Sequence, residues 1–143
     1  MSMRKIVWGG MGLFLLLLAL ILFPSVWGAR ISANESGAFG VILEIVSAET
    51  SFQEKNQGKI SDLSTLHALG VVKVDNTNNV RSGYIFSMEI NGKSFVVDAI
   101  PVKYNKSGVK SFHADKNGTI HVADKQGNKA TDADCVFGMD CGK

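Results

Sequence analysis

The sequence predicts an α+β protein: a long N-terminal helix packed on a four-stranded antiparallel sheet. Three observations point there. Ile6 to Phe23 is an apolar run without a charged residue, and apolar spacing at three- and four-residue steps continues beyond it to Phe52. From Ser82 the apolar period changes to two, the period of a strand. Asn91-Gly92 and Asn117-Gly118 then supply the residue types that tight hairpin turns require. Helices followed by strands is the α+β order.

The helix has two halves of different chemistry. A charge-free run of about eighteen residues is long enough to cross a bilayer. Trp8 and Trp27 stand near its ends. At about 1.5 Å per residue they lie roughly 28 Å apart, and indoles favour the headgroup level. Gly9, Gly10 and Gly12 would let a partner helix approach closely, although no Gly-x-x-x-Gly spacing results and glycine is common in membrane helices anyway. Arg4, Lys5 and the amino terminus precede the run and only Arg30 closely follows it. The positive-inside rule then places the N-terminus in the cytoplasm and the remainder outside. The rival reading is a cleaved signal peptide ending near Val26-Trp27-Gly28. A tryptophan there is a poor cleavage context, so a retained anchor is expected.

The second half, from Arg30 to Phe52, is amphipathic. Ala38, Ile42, Ile45 and Phe52 share a face, with Phe39, Leu43 and Val46 beside it, and such a stripe needs something to pack on. Gly37 and Gly40 each weaken the helix by about 1 kcal/mol against alanine. The expected organisation is a cytoplasmic tip (1–5), a transmembrane helix (6–27), its amphipathic continuation (28–57), and an extracytoplasmic sheet domain with a disulfide tail (58–143).

Length and charge narrow the function. Of 143 residues, roughly 110 remain beyond the anchor, enough for one small domain with its own core. Lys and Arg number 15 and Asp and Glu 13; without Arg4 and Lys5 the two signs balance. No basic face results, so nucleic acid is not an expected partner. Cys135 and Cys141, the two cysteines, should pair in an oxidising compartment. Closing that short loop removes chain entropy worth roughly 2.4 kcal/mol. Two free thiols are the rival reading. Zinc is disfavoured because no histidine stands at ligand spacing from either cysteine.

After the helix, Ser61 to Gly70 reads as a short helix with Ser61 as N-cap, Asp62 at its positive end and Gly70 as its stop. Val71-Val-Lys-Val74 reads as a short edge strand and Asp75 to Asn79 as a loop. Tyr84, Phe86, Met88 and Ile90 point to one face. A two-residue Asn91-Gly92 turn of type I′ then pairs Ile90 with Lys93, Met88 with Phe95, Phe86 with Val97 and Tyr84 with Ala99. Pro101 ends the second strand or makes it an edge. In the second hairpin a two-residue turn would set Ala114 against His121 and break the apolar face. A three-residue turn, Lys116-Asn117-Gly118, pairs Ala114 with Ile120 and Phe112 with Val122, and gives Gly118 the left-handed position. The expected core is Phe39, Ile42, Val46, Phe86, Phe95, Val97, Phe112 and Ile120.

That register sets His113 opposite His121 on the solvent face, near enough to chelate a metal, though a third ligand is missing locally. Two surface histidines is the expectation, with no metal and no cofactor. His67 reads as a surface or half-buried residue of the short helix. No nucleophile elbow, phosphate loop or His-Glu metal pair is present, so no enzyme and no small-molecule substrate are predicted. Asn34-Glu35-Ser36, Asn105-Lys106-Ser107 and Asn117-Gly118-Thr119 match the glycosylation pattern, which arises easily by chance.

Phe23-Pro24-Ser25-Val26-Trp27-Gly28-Ala29-Arg30-Ile31-Ser32-Ala33-Asn34-Glu35-Ser36-Gly37-Ala38 resembles the membrane-exit segment of type IV pilins and pseudopilins. There, an apolar helix reaches a proline and runs on through an Arg-x-x-x-Asn-Glu-like stretch. Ser82 to Phe86, Gly108 to Asp115 and Gly118 to Ile120 resemble strand motifs of the same family, in the same order. The resemblance implies a pilin-like fold and a bacterial inner-membrane location. Its departures matter. Ser2 stands where the family's processing glycine belongs and Val7 where its filament-assembly glutamate belongs. The resemblance also makes calcium at Asp132, Asp134 and Asp140, near Asp124, conceivable, but calcium wants six to eight oxygens and a solvated acidic tail is expected. The expected function is a non-enzymatic, single-span structural or accessory subunit whose partners are the bilayer and other membrane subunits. The alternatives are a minor pilin or pseudopilin of a pilus or secretion machine, and an extracytoplasmic binding or metal module.

Overall fold

The structure, a computed structural model, describes residues 3–74 and 78–140, with side chains from Val26 onward. Helix α1 (Met3–Lys55) is followed by a short helix α2 (Leu63–Ala68) and six strands. These are β1 (Val80–Arg81), β2 (Tyr84–Asn91), β3 (Ser94–Pro101), β4 (Lys110–Asp115), β5 (Ile120–Asp124) and β6 (Cys135–Val136). The sheet is an antiparallel meander in strict sequence order. The chain forms two compact units, residues 1–30 and 31–143. Among the described residues no helix is long and apolar enough to cross a membrane. The side chains of the Ile6–Phe23 run, with Trp8, Gly9, Gly10 and Gly12, lie outside them.

Within residues 31–143 the α1 stripe packs as its spacing demands. Ala38, Val41, Ile42, Ile45 and Val46 are buried together with Tyr84, Phe86, Phe95, Val97, Phe112 and Ile120. Phe39 and Phe52 are partly buried against that core. Leu43 departs from its expected place beside the stripe and is exposed, because Val41 takes the other flank.

Four predicted strands are six. A two-residue hairpin at Ser82-Gly83 adds β1, pairing Arg81 with Tyr84 and Val80 with Ile85. Both turn residues have positive φ, 51° and 72°, which is the type I′ signature. At the other edge β6 pairs with β5 through Val122–Cys135 and His121–Val136. Val71 to Val74 is not a strand; Val72 and Val74 are buried in the core without a ladder. The expected loop residues Asp75, Asn76 and Thr77 lie outside the described residues.

The β2–β3 register differs from expectation by two residues. Ile90 pairs with Phe95, Met88 with Val97, Phe86 with Ala99 and Tyr84 with Pro101. The turn centres on Gly92-Lys93, not on Asn91-Gly92. Only Gly92 has positive φ (62°), as a type II′ turn requires at its first central position. A shift of two preserves the face, so Tyr84, Phe86 and Phe95 stay buried, while Ile90 at the tip is exposed. The β4–β5 register is as expected: Ala114 faces Ile120, Phe112 faces Val122, and Gly118 has φ +81°.

The short helix is capped by Asp62, whose carboxylate accepts the Thr65 amide at 2.7 Å. Ser61, the expected cap, is buried and spent elsewhere. Gly70 (φ +71°) closes the helix: its amide donates to His67 and the Val71 amide to Leu66, a Schellman pattern.

Candidate functional site

The outer sheet face, away from α1, is not bare. β3, β4 and β5 place Asp98, His113 and His121 on it, since residues alternate faces along a strand and Asp98–His113–His121 are direct cross-strand neighbours. The segment from Lys125 to Asp134 covers part of this face, and Ala130 is 2 % exposed. Asp98, also 2 % exposed, receives His113 Nδ1 on Oδ1 at 2.7 Å and Lys129 Nζ on Oδ2 at 2.8 Å. Lys129 also reaches Glu89. The Asp98 and Glu89 carboxylates raise the Lys129 pKa above its ordinary value. His113 Nε2 lies 3.2 Å from Asp132 Oδ1. His121 Nδ1 is 2.9 Å from the backbone carbonyl of Asp134. Lys125 holds the Asp134 carboxylate at 2.7 Å and, with the Thr131 amide and hydroxyl, keeps its pKa below the usual carboxylate range.

His113 and His121 are therefore partnered, half-buried groups rather than two free surface histidines, with ring centroids 6.3 Å apart. Asp98–His113 resembles the acid–base half of a hydrolytic triad, but the far ring nitrogen faces a carboxylate. Ser111 shares the face two residues away, is fully buried and has no hydrogen-bond partner among the described residues. A sealed hydroxyl cannot meet a substrate, so the arrangement offers no nucleophile. Among the described residues no three His, Cys, Asp or Glu side chains stand together in reach of one metal ion.

A second assembly ties α1 to the β3–β4 loop. Glu35 Oε1 accepts the Val109 and Lys110 amides at 3.0 and 3.1 Å, and Asn34 Nδ2 donates to the Ser107 carbonyl at 2.8 Å. The buried Tyr84 hydroxyl donates to the Lys110 carbonyl at 2.7 Å. Burial, with the Glu35 charge beside it, pushes the Tyr84 phenol well above its ordinary pKa. The Asn34-Glu35 pair singled out by its motif thus acts as a clamp on a loop.

Sequence reasoning missed the buried carboxylate of Glu49. It accepts the Ser61 amide at 3.0 Å and the Ser61 hydroxyl, and Gln53 Nε2 at 3.1 Å. Its signal was available: a glutamate on the apolar face, four residues after Ile45. Cys135 is disulfide-bonded. The sequence holds one other cysteine, Cys141, which lies outside the described residues. In the acidic tail, Asp124 takes the Tyr104 hydroxyl, Asp134 takes Lys125, and Asp140 is exposed, so these carboxylates are not gathered into one cage. Trp27 is half exposed and His67 sits on α2 near its C-terminal end. An open pocket of about 700 Å³ lies between α1 and the α2 segment, with Glu44, Ala48, Phe52, Lys55, Leu66 and Val71 among its lining residues.

No family model, no curated protein and no solved structure matches this chain.

Proposed function

We propose that the chain is a non-enzymatic, single-span, pilin-like structural or accessory subunit of a bacterial membrane complex, with its N-terminus in the cytoplasm and its sheet domain outside. One observation carries the reading. A single helix, Met3–Lys55, contains both the charge-free apolar run and the stripe from Ala38 to Val46 that forms the core with the sheet. The clamp made by Asn34 and Glu35 supports it, because it gives the exit motif a job in holding the outer domain together.

Purification in mild detergent, followed by identification of co-purifying chains, tests the proposal. Stoichiometric membrane subunits are the expected result; a monodisperse monomer in every detergent would overturn it. The rival, a processed minor pilin or pseudopilin, is separated by the intact mass. A start at Met1 or Ser2 fits the accessory subunit, because Ser2 and Val7 replace the processing and assembly residues. A start at Met3 fits the rival.

A further inference from the structure

We propose that His113 and His121 form a two-histidine site for a borderline divalent cation of the Zn²⁺, Ni²⁺ or Cu²⁺ class, completed by Asp132 and solvent. The inference does not depend on membrane anchorage. It starts from where the ring protons must be. The atom facing His121 Nδ1 is the Asp134 carbonyl oxygen, which only accepts, so Nδ1 carries the proton. Asp98 Oδ1 faces His113 Nδ1 at 2.7 Å and imposes the same tautomer. Whenever its second nitrogen is unprotonated, each imidazole therefore presents Nε2 as a lone pair. A carboxylate or backbone carbonyl on the far nitrogen is the arrangement that orients metal-binding histidines and raises their basicity.

The surroundings of His113 Nε2 sharpen the argument. Asp132 Oδ1 lies 3.2 Å from it. Two lone pairs facing each other at that distance repel, so a positive species belongs between them: a second ring proton or a metal ion. With bonds of about 2.0 Å to nitrogen and oxygen, a tetrahedral cation fits between two such donors. Asp132 is 77 % exposed, which leaves an entry path, whereas the His113 side chain is 12 % exposed and held in orientation. The ion pairs around the cluster count four carboxylates, Glu89, Asp98, Asp132 and Asp134, against the ammonium groups of Lys125 and Lys129, a balance that favours a cation.

His121 is the donor that must move. The rings are neighbours across β4 and β5 at 6.3 Å, yet no three donors are gathered in reach of one ion. The site closes on loading, when a cation bridges the rings and draws the solvent-facing Asp132 in. Imidazole donors with one carboxylate suit zinc, nickel and copper and not calcium or magnesium, and copper should bind most tightly.

The full-length, untagged protein in detergent is dialysed against Cu²⁺ or Zn²⁺, and bound metal is counted. The expected result is one ion per chain, with affinity falling at least about tenfold in both His113→Gln and His121→Gln, and less in Asp132→Asn. His67→Gln should bind as the wild type does. Because His113 also holds Asp98, loss of its variant's fold is covered by a measurement on the unaltered protein. Electron paramagnetic resonance of the Cu²⁺ form should show two imidazole nitrogens. No saturable binding, unchanged affinity in His121→Gln, or a spectrum without two imidazoles would each show that a proton alone bridges His113 and Asp132, and the proposal would fall.

Discussion

A β-carbon built on Gly108 would lie 1.9 Å from the hydroxyl oxygen of Tyr84. The strand-to-strand lock from Tyr84 to the Lys110 carbonyl therefore exists only because position 108 has no side chain. Gly108→Ala must displace a fully buried ring, at a cost of about 2–3 kcal/mol. Tyr84→Phe should cost about 1 kcal/mol by losing the hydroxyl alone. Urea denaturation of both variants checks the order; an alanine variant as stable as the wild type would contradict the close approach.

The Glu35 clamp makes a prediction of different character. Glu35→Gln keeps one acceptor for the Val109 and Lys110 amides, whereas Glu35→Ala leaves both without it. The alanine variant should lose about 1–3 kcal/mol and the glutamine variant less. Hydrogen exchange should accelerate at Val109 and Lys110 and remain unchanged at Phe86 and Val97, far along the sheet.

Glu49 and Ser61 form a buried pair, so truncating one strands the other. Ser61→Ala should destabilise by about 1–3 kcal/mol, because the carboxylate keeps only the Ser61 amide and Gln53. Glu49→Leu should cost more, because it leaves the buried Ser61 amide and the Gln53 side chain without their acceptor. Thermal melts of the wild type, the two single variants and the double variant Glu49→Leu/Ser61→Ala decide it; strict additivity of the two losses would argue against the pairing.

Acid should weaken the fold through Asp134 and Asp115. Lys125 leads the causes that hold Asp134 below the usual carboxylate range. Burial raises Asp115, but the amides of Thr119 and Asn117 outweigh it and leave its pKa lowered. A carboxyl with a depressed folded pKa adds stability that is complete above the unfolded value of about 4 and is lost as pH falls through the folded value. The denaturation midpoint should therefore drop on acidification below about pH 5, and Asp134→Asn should flatten that slope.

The proposed membrane span predicts where a partner would touch it. Without a charge at Val7, association in lipid rests on close packing, and the small residues cluster at Gly9, Gly10 and Gly12. Gly10→Leu or Gly12→Leu should reduce co-purification with partner subunits, while Leu16→Ile should not. Equal recovery of all three would move the contact to the outer domain.

Legibility followed the kind of physics involved. Burial patterns were readable because they depend on period alone: Tyr84, Phe86, Val97 and Phe112 fall on the core face in either register. The register of β2 and β3 was not, because Asn-Gly suits a type I′ turn locally, yet β1 and the Pro101 end of β3 fix the pairing two residues along. Edge strands of two residues carry no period to detect. The clamps at Glu35 and Glu49 join residues far apart in the chain, and His113 was visible as a cross-strand neighbour of His121 but not as a partner of Asp98, since the β3–β4 register had no turn signal. The role of Asp62 was within reach, as its carboxylate reaches the amide three residues on.

Both edge strands of the sheet are only two residues long, Val80–Arg81 and Cys135–Val136. A sheet border is a row of unsatisfied amides and carbonyls on which a foreign chain can polymerise, and its hazard grows with its length. β1 pairs only with Tyr84 and Ile85 of β2, and β6 only with His121 and Val122 of β5, so among the described residues the stretch of β2 from Ser87 to Asn91 has no strand on its outer side. Glu89, in the middle of that open stretch, carries a charge, and a charge on an edge discourages a foreign strand from pairing there.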